Sequence, residues 1–128
     1  PISRMRQLLV RQNATEAAET FALWIETSET LWTRAAQFEL LCRLAATLAE
    51  DLFRIGRLDS VAIDSETPLL VRRIRDVETW LDRLAVLEPG PAVRKRAEPR
   101  VRGALLSFEP EGERGVCARL GHEIAARV

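Results

Sequence analysis

The chain has 128 residues, 47% of them hydrophobic and 30% charged, with a formal net charge of zero. That is the size of one domain able to bury a core of its own. The balanced charge excludes an overall pull toward nucleic acid or a membrane surface, and no apolar run approaches the roughly 18 residues of a membrane span.

Lys95 is the only lysine and tyrosine is absent, the mark of an arginine- and alanine-rich product of a GC-rich coding sequence. The chain opens Pro1-Ile2-Ser3, so a processed product or a piece of something larger is expected, and no signal-peptide pattern is present. Cys42 and Cys117 lie far apart and read as two buried free thiols rather than a disulfide.

From Pro1 to Gly56 neither glycine nor proline interrupts the chain. Apolar residues recur there at seven-residue intervals: Val10, Ala17, Trp24, Leu31, Phe38, Ala45 and Leu52. A second series runs Ala14, Phe21, Ser28, Ala35, Cys42 and Ala49. Alternating steps of three and four predict a coiled-coil-like helix over 1–58, roughly 75 Å long if unbroken. Ala18, Ile25, Trp32, Ala46 and Phe53 widen its apolar edge beyond a two-stranded seam. Thr27, Thr30 and Thr33 lower the local helix propensity, so packing must hold this stretch.

Gly56 and residues 59–65 read as a connector. Thr67 as N-cap and Pro68 at the first helical position predict a second helix over 68–87, with Leu70, Ile74, Val77, Leu81 and Leu84 on one face and Trp80 and Leu87 widening it. Glu88-Pro89-Gly90-Pro91 ends it. Residues 88–112 form a Pro/Gly-rich basic connector in which 103–108 (GALLSF) is a short apolar piece, helix or strand. A C-terminal helix over 113–127 is predicted from Val116, Leu120 and Ile124. The fold class expected is therefore all-α: a single elongated helical bundle, its shorter helices packing back on the long one.

Chemistry is sparse. His122 is the only histidine, and it lies five positions after Cys117, an imperfect match for a helical pair. Glu16, Glu19, Glu26 and Glu29 lack the Glu-x-x-His pairs of a di-iron bundle. Asp51, Asp59 and Asp64 do not have calcium-loop spacing. Asn13-Ala14-Thr15 matches the glycosylation sequon but falls on the seam. No catalytic residue, metal or cofactor is expected. Arg94, Lys95, Arg96, Arg100 and Arg102 form a basic patch that phosphates could meet electrostatically. It lacks aromatic neighbours for base stacking, and a solvated or internally paired loop is the plainer reading.

The stretch FALWIETSETLWTRAAQFELLCRLAATLAEDLF, with the proline-interrupted basic tail, resembles in style a central segment of a simplex-type herpesvirus large tegument protein. The resemblance implies an elongated scaffold between capsid and tegument, homodimer contacts, and a location in the virion tegument and the host cytoplasm and nucleus. Nothing matches that family's protease site.

The function expected is a non-enzymatic, intracellular scaffolding segment. It self-associates, as a dimer for preference, through Phe21, Trp24, Leu31, Trp32, Phe38 and Leu52, and meets other proteins of an assembly. The alternative is a small helical regulator that binds nucleic acid or an acidic partner through 94–102.

Overall fold

A computed structural model describes residues 19–91 and 98–128. The architecture is mixed α/β. In chain order the elements are β1 (Phe21–Ile25), α1 (Ala35–Arg54), β2 (Leu58–Ile63), β3 (Leu69–Leu70), α2 (Ile74–Ala85), β4 (Ala104–Glu111), β5 (Gly115–Leu120) and β6 (Glu123–Arg127). The strands form one sheet in the order β3-β2-β1-β4-β5-β6. β1 lies between β2 and β4 and runs parallel to both, while β2–β3, β4–β5 and β5–β6 are antiparallel.

The continuous helix over 1–58 is corrected first. Its described part is a strand, a loop and a helix, and neither a coiled coil nor an all-α bundle exists among the described residues. FALWI is buried at every position, the signature of a parallel strand covered on both faces. A run of five apolar residues carries no period of its own, so the seven-residue spacing passed through it by coincidence. The polar stretch ETSET then leaves helical geometry because its hydroxyls compete for the backbone. Ser28 Oγ meets the Thr30 hydroxyl at 2.8 Å and accepts the Thr30 N–H at 3.3 Å. The heptad positions at Val10, Ala14 and Ala17 lie outside the described residues.

From Ala35 the helical reading holds. Phe38, Leu41, Leu44, Ala45, Leu48, Ala49 and Leu52 are the buried stripe of α1. They pack with Phe21, Leu23 and Ile25 of β1, Val61 and Ile63 of β2, and Leu106 of β4. The register sets Leu23 beside Val61 and Leu106, and one residue on, Trp24 beside Ala62 and Ser107. Each buried leucine in such a stripe contributes about 1.5–3 kcal/mol.

The second helix is shorter than the expected 68–87. Leu69 and Leu70 form β3, and Thr67-Pro68 belongs to the β2–β3 turn rather than to a helix cap. Asp76 Oδ2 accepts the N–H groups of Arg72 (2.8 Å) and Arg73 (3.1 Å) at the real start of α2. These two bonds hold the Asp76 carboxyl below its usual range. Val77, Trp80 and Leu84 bury the inner face of α2.

The expected connector over 59–65 is mostly β2, and the expected helix over 113–127 is the hairpin β5–β6. Gly121, at φ +62°, makes its turn. Gly103 is a tighter constraint at the entry to β4. Its φ is +73°, and a Cβ there would lie 2.2 Å from the Thr20 carbonyl oxygen, where Thr20 C=O accepts the Ala104 N–H at 3.0 Å.

Candidate functional site

In an open sheet with parallel strands, the carboxyl ends of those strands are where loops gather and ligands bind. Here the carboxyl ends of β1 and β2 meet residues 26–34, the 64–68 turn, the C-terminal part of α2, and Gly90. Gly90 N–H donates to Thr27 C=O (2.8 Å) and Gly90 C=O accepts from Glu29 N–H (2.9 Å).

Two of the expected seam tryptophans anchor this end. Trp24 Nε1 donates to Asp64 C=O at 2.9 Å, and Trp32 Nε1 donates to Glu26 C=O at 2.7 Å. Trp32 also meets Phe38 edge-to-face, ring centroids 6.2 Å apart. Asp64 sits at φ +52°. Its N–H reaches Ile25 C=O at 2.7 Å, and its carboxylate accepts both the N–H (2.8 Å) and the hydroxyl of Thr27. This side chain is an internal clamp between the two strand ends that holds Thr27.

The seam does not lie on the surface. Phe21, Trp24, Trp32, Phe38 and Leu52 are all buried within their own chain, and Leu31 is half-buried against the same core. Only Leu31 among these six leaves part of its side chain exposed. Of the basic patch, Arg100 and Arg102 are exposed; Arg94, Lys95 and Arg96 lie outside the described residues.

Beside the Asp64 clamp, a cavity of about 170 Å³ opens between the β2–β3 turn and α2. Val61, Ile63, Leu69 and Trp80 give it an apolar wall, and Thr67, Thr79, Glu66 and Arg83 its polar part. Trp80 is only 3% exposed, and its buried indole N–H has no acceptor among the described residues. An unsatisfied buried donor costs about 1–3 kcal/mol, and indole N–H groups ordinarily find a partner when buried. Arg83 donates to Glu66 at 2.6 Å, both side chains about half exposed; that hydrogen bond raises the arginine's pKa further. Thr79 donates its hydroxyl proton to the Arg75 carbonyl (3.0 Å). The lining therefore offers a ligand an apolar wall with one ion pair at its polar part, and it sets no nucleophile beside a free base.

A second cavity, about 480 Å³, is lined by Glu19, Glu98, Ala104, Leu105, Ser107, Leu120 and Gly121. It offers two carboxylates and no buried donor.

The residues paired in the search for chemistry do not converge. His122 is exposed in the β5–β6 turn, whereas the Cys117 thiol is buried and lies 3.8 Å from Glu109 Oε1. Burial, then the Glu109 and Glu111 charges, push that thiol's pKa up. Cys42 is pushed up to about 11, by burial and then by Glu39. Both thiols are free and remain protonated near neutral pH, the opposite of an activated nucleophile. No group of three metal-ligating side chains occurs among the described residues, and no helix among them is long and apolar enough to cross a membrane.

Reading the sequence alone placed Trp80 on the apolar face of the second helix and passed over Glu66, Thr79 and Arg83. The available signal was the lone aromatic of that helix, with threonine one residue before it and arginine three residues after. An indole needs a partner for its N–H, and Arg83 shares its helix face. No protein family, no curated protein and no solved structure matches this chain.

Proposed function

We propose that the chain is a non-catalytic binding domain of a larger assembly, and that its contact site is the cleft between α2 and the β2–β3 turn. The scaffolding role stays; the surface that carries it moves from the heptad seam to this cleft. The observation that supports it is the indole N–H of Trp80, buried without an acceptor beside a cavity of about 170 Å³. Engineered cavities of about 150 Å³ take up benzene, so the space suits one side-chain-sized group.

The three indole N–H resonances make a direct test. Trp24 and Trp32 donate to carbonyls of their own chain and serve as internal controls. Titration with isobutanol, indole and 4-methylpentan-2-one, followed by ¹⁵N–¹H correlation spectra, should move the Trp80 signal and leave the other two in place. Trp80→Phe assigns the signal by removing it. A Trp80 resonance that no fragment moves at millimolar concentration defeats the reading.

A further inference from the structure

We propose that the corner of the molecule at the amino end of β2 docks on an anionic lipid surface. This corner is separate from the cleft, and the proposal does not depend on the cleft being a binding site. Two segments meet there, 54–57 after α1 and 70–75 between β3 and α2. Val71 N–H donates to Asp59 C=O at 2.9 Å, and the Arg72 guanidinium lies 3.9 Å from the Asp59 carboxylate. These contacts bring Ile55, Leu70 and Ile74 to one end of the fold, each more than half exposed. They are three of the five large apolar side chains that stand exposed among the described residues.

The same corner carries five arginines against three carboxylates. Arg54 meets Asp51 at 3.3 Å, and Arg72 meets Asp59. In both pairs the acid lies behind the base: Asp51 and Asp59 are 21% and 12% exposed, Arg54 and Arg72 69% and 59%. The third carboxylate, Asp76, is engaged by the N–H groups of Arg72 and Arg73. Arg57 donates to a neutral acceptor, the Glu19 carbonyl, at 3.2 Å. The exposed guanidinium groups of Arg73 and Arg75 form no ion pair among the described residues. Glu50 and Glu78 stand a turn farther along the helices. Zero net charge denies the whole chain a pull toward anions, but this corner has a local one.

The mixture of cations and branched aliphatic side chains selects the partner. A nucleic acid would take the arginines and leave Ile55, Leu70 and Ile74 in water, and neither segment has an aromatic residue on which a base could stack. Neither cavity described above is lined by these residues, so the corner offers no pocket for a peptide anchor. A bilayer interface supplies both counterparts together: phosphate and carboxylate headgroups for the arginines, and acyl carbon a few ångströms deeper for the apolar side chains. A guanidinium meets a phosphate through two parallel N–H bonds, and every cation here is an arginine. The attachment is to the surface alone, since no helix among the described residues is long and apolar enough to cross a membrane.

The test is sedimentation of the intact chain with vesicles of phosphatidylcholine, with and without about one-third phosphatidylserine. At about 0.05 M salt the chain should sediment with the anionic vesicles and not with the neutral ones, and about 0.5 M salt should release it. Arg73→Gln and Arg75→Gln should each weaken partitioning about fivefold, and the double variant more than about tenfold. Ile74→Ser should weaken it several-fold through lost apolar burial. Arg114→Gln, an exposed site in the β4–β5 turn, should leave it unchanged. Circular dichroism of each variant separates loss of binding from loss of fold.

Four results overturn the proposal: no sedimentation with anionic vesicles at low salt, equal sedimentation with neutral ones, undiminished partitioning of the folded double variant, or unchanged partitioning of folded Ile74→Ser. A short DNA duplex that competes the chain off the vesicles at equal phosphate concentration, and loses that power against the double variant, overturns it as well and assigns the corner to nucleic acid.

Discussion

The two halves of the sheet bury their residues differently. In β1, α1 and β2 nearly every strand side chain is buried, on both faces: Leu23, Ile25, Val61 and Ile63 on one, Ala22, Trp24, Ser60 and Ala62 on the other. In β4 burial alternates, while β5 buries Val116, Cys117 and Ala118 and β6 buries Ala125 and Ala126, with partly exposed residues on either side. Leu106, Phe108, Val116 and Ala118 face the core, while Glu109–Arg119 and Glu111–Arg127 pair across strands on the other face. The parallel half is held by apolar area, and the hairpin half adds turn glycines and half-exposed ion pairs to a smaller set of buried side chains. Sites of comparable position should therefore differ greatly in what they contribute.

The sharpest contrast is a deletion in the parallel half. Leu48 of α1 is fully buried in a stripe that cannot easily collapse around a gap. Leu48→Ala should cost about 2–5 kcal/mol, read as a lower urea midpoint with unchanged m-value. A loss below 1 kcal/mol would mean that α1 is not the central element of this core.

The joint between the halves comes next. Gly103 brings β4 alongside β1 where a Cβ would strike the Thr20 carbonyl. Gly103→Ala combines a left-handed backbone with that clash and should cost about 2–5 kcal/mol. Gly112, also at positive φ, has open space around its Cβ position, so Gly112→Ala carries the left-handed backbone cost alone, about 1–2 kcal/mol. Equal losses at the two sites would show that backbone conformation alone matters, and that the approach of β4 to Thr20 is not a constraint.

The hairpin half should show the smaller response. Glu111 and Arg127 are bonded at 2.9 Å, but their side chains are 37% and 41% exposed. Water and salt screen such a pair, and Glu111→Gln should change stability by less than about 0.5 kcal/mol. A loss near that of Leu48→Ala would erase the distinction between the halves.

The same contrast explains what the sequence made legible. A face of period 3.6 survives in α1 and α2, and both helices were visible, at Phe38 to Leu52 and at Val77 to Leu84. FALWI has no period, and the glycine- and proline-free run around it let the helical phase extend across a strand. Thr27, Ser28 and Thr30 were the contrary signal, overruled because their local hydrogen bonds cannot be seen in a heptad count. Val116, Leu120 and Ile124 imitate a helix face at steps of four, yet Gly115 and Gly121 punctuate a hairpin. The candidate site was hidden for a different reason. The Trp80 N–H is an orphan only because β2, β3 and α2 enclose it, and no local pattern records a missing acceptor.

The two thiols give the comparison its finest measure, one in each half. Cys42 lies half-buried on α1 and Cys117 is buried in β5; burial is the leading cause of the raised pKa in both. A thiol whose folded pKa lies above its unfolded value favours the folded state fully at pH values below the unfolded one, near 9. That contribution fades as pH rises through the folded value, about 11 for Cys42. Stability attributable to Cys42 should thus be flat to pH 9 and decline between 9 and 11, a decline that Cys42→Ala abolishes. Since the thiolate is the reactive form, native alkylation by iodoacetamide at pH 8 should be slow at both cysteines and become rapid in urea. Cys117, the more enclosed of the two, should react last. Rapid labelling of native Cys117 at pH 8 would mean that the β5 strand opens to solvent, and that the hairpin half is held less firmly than its ion pairs and buried side chains imply.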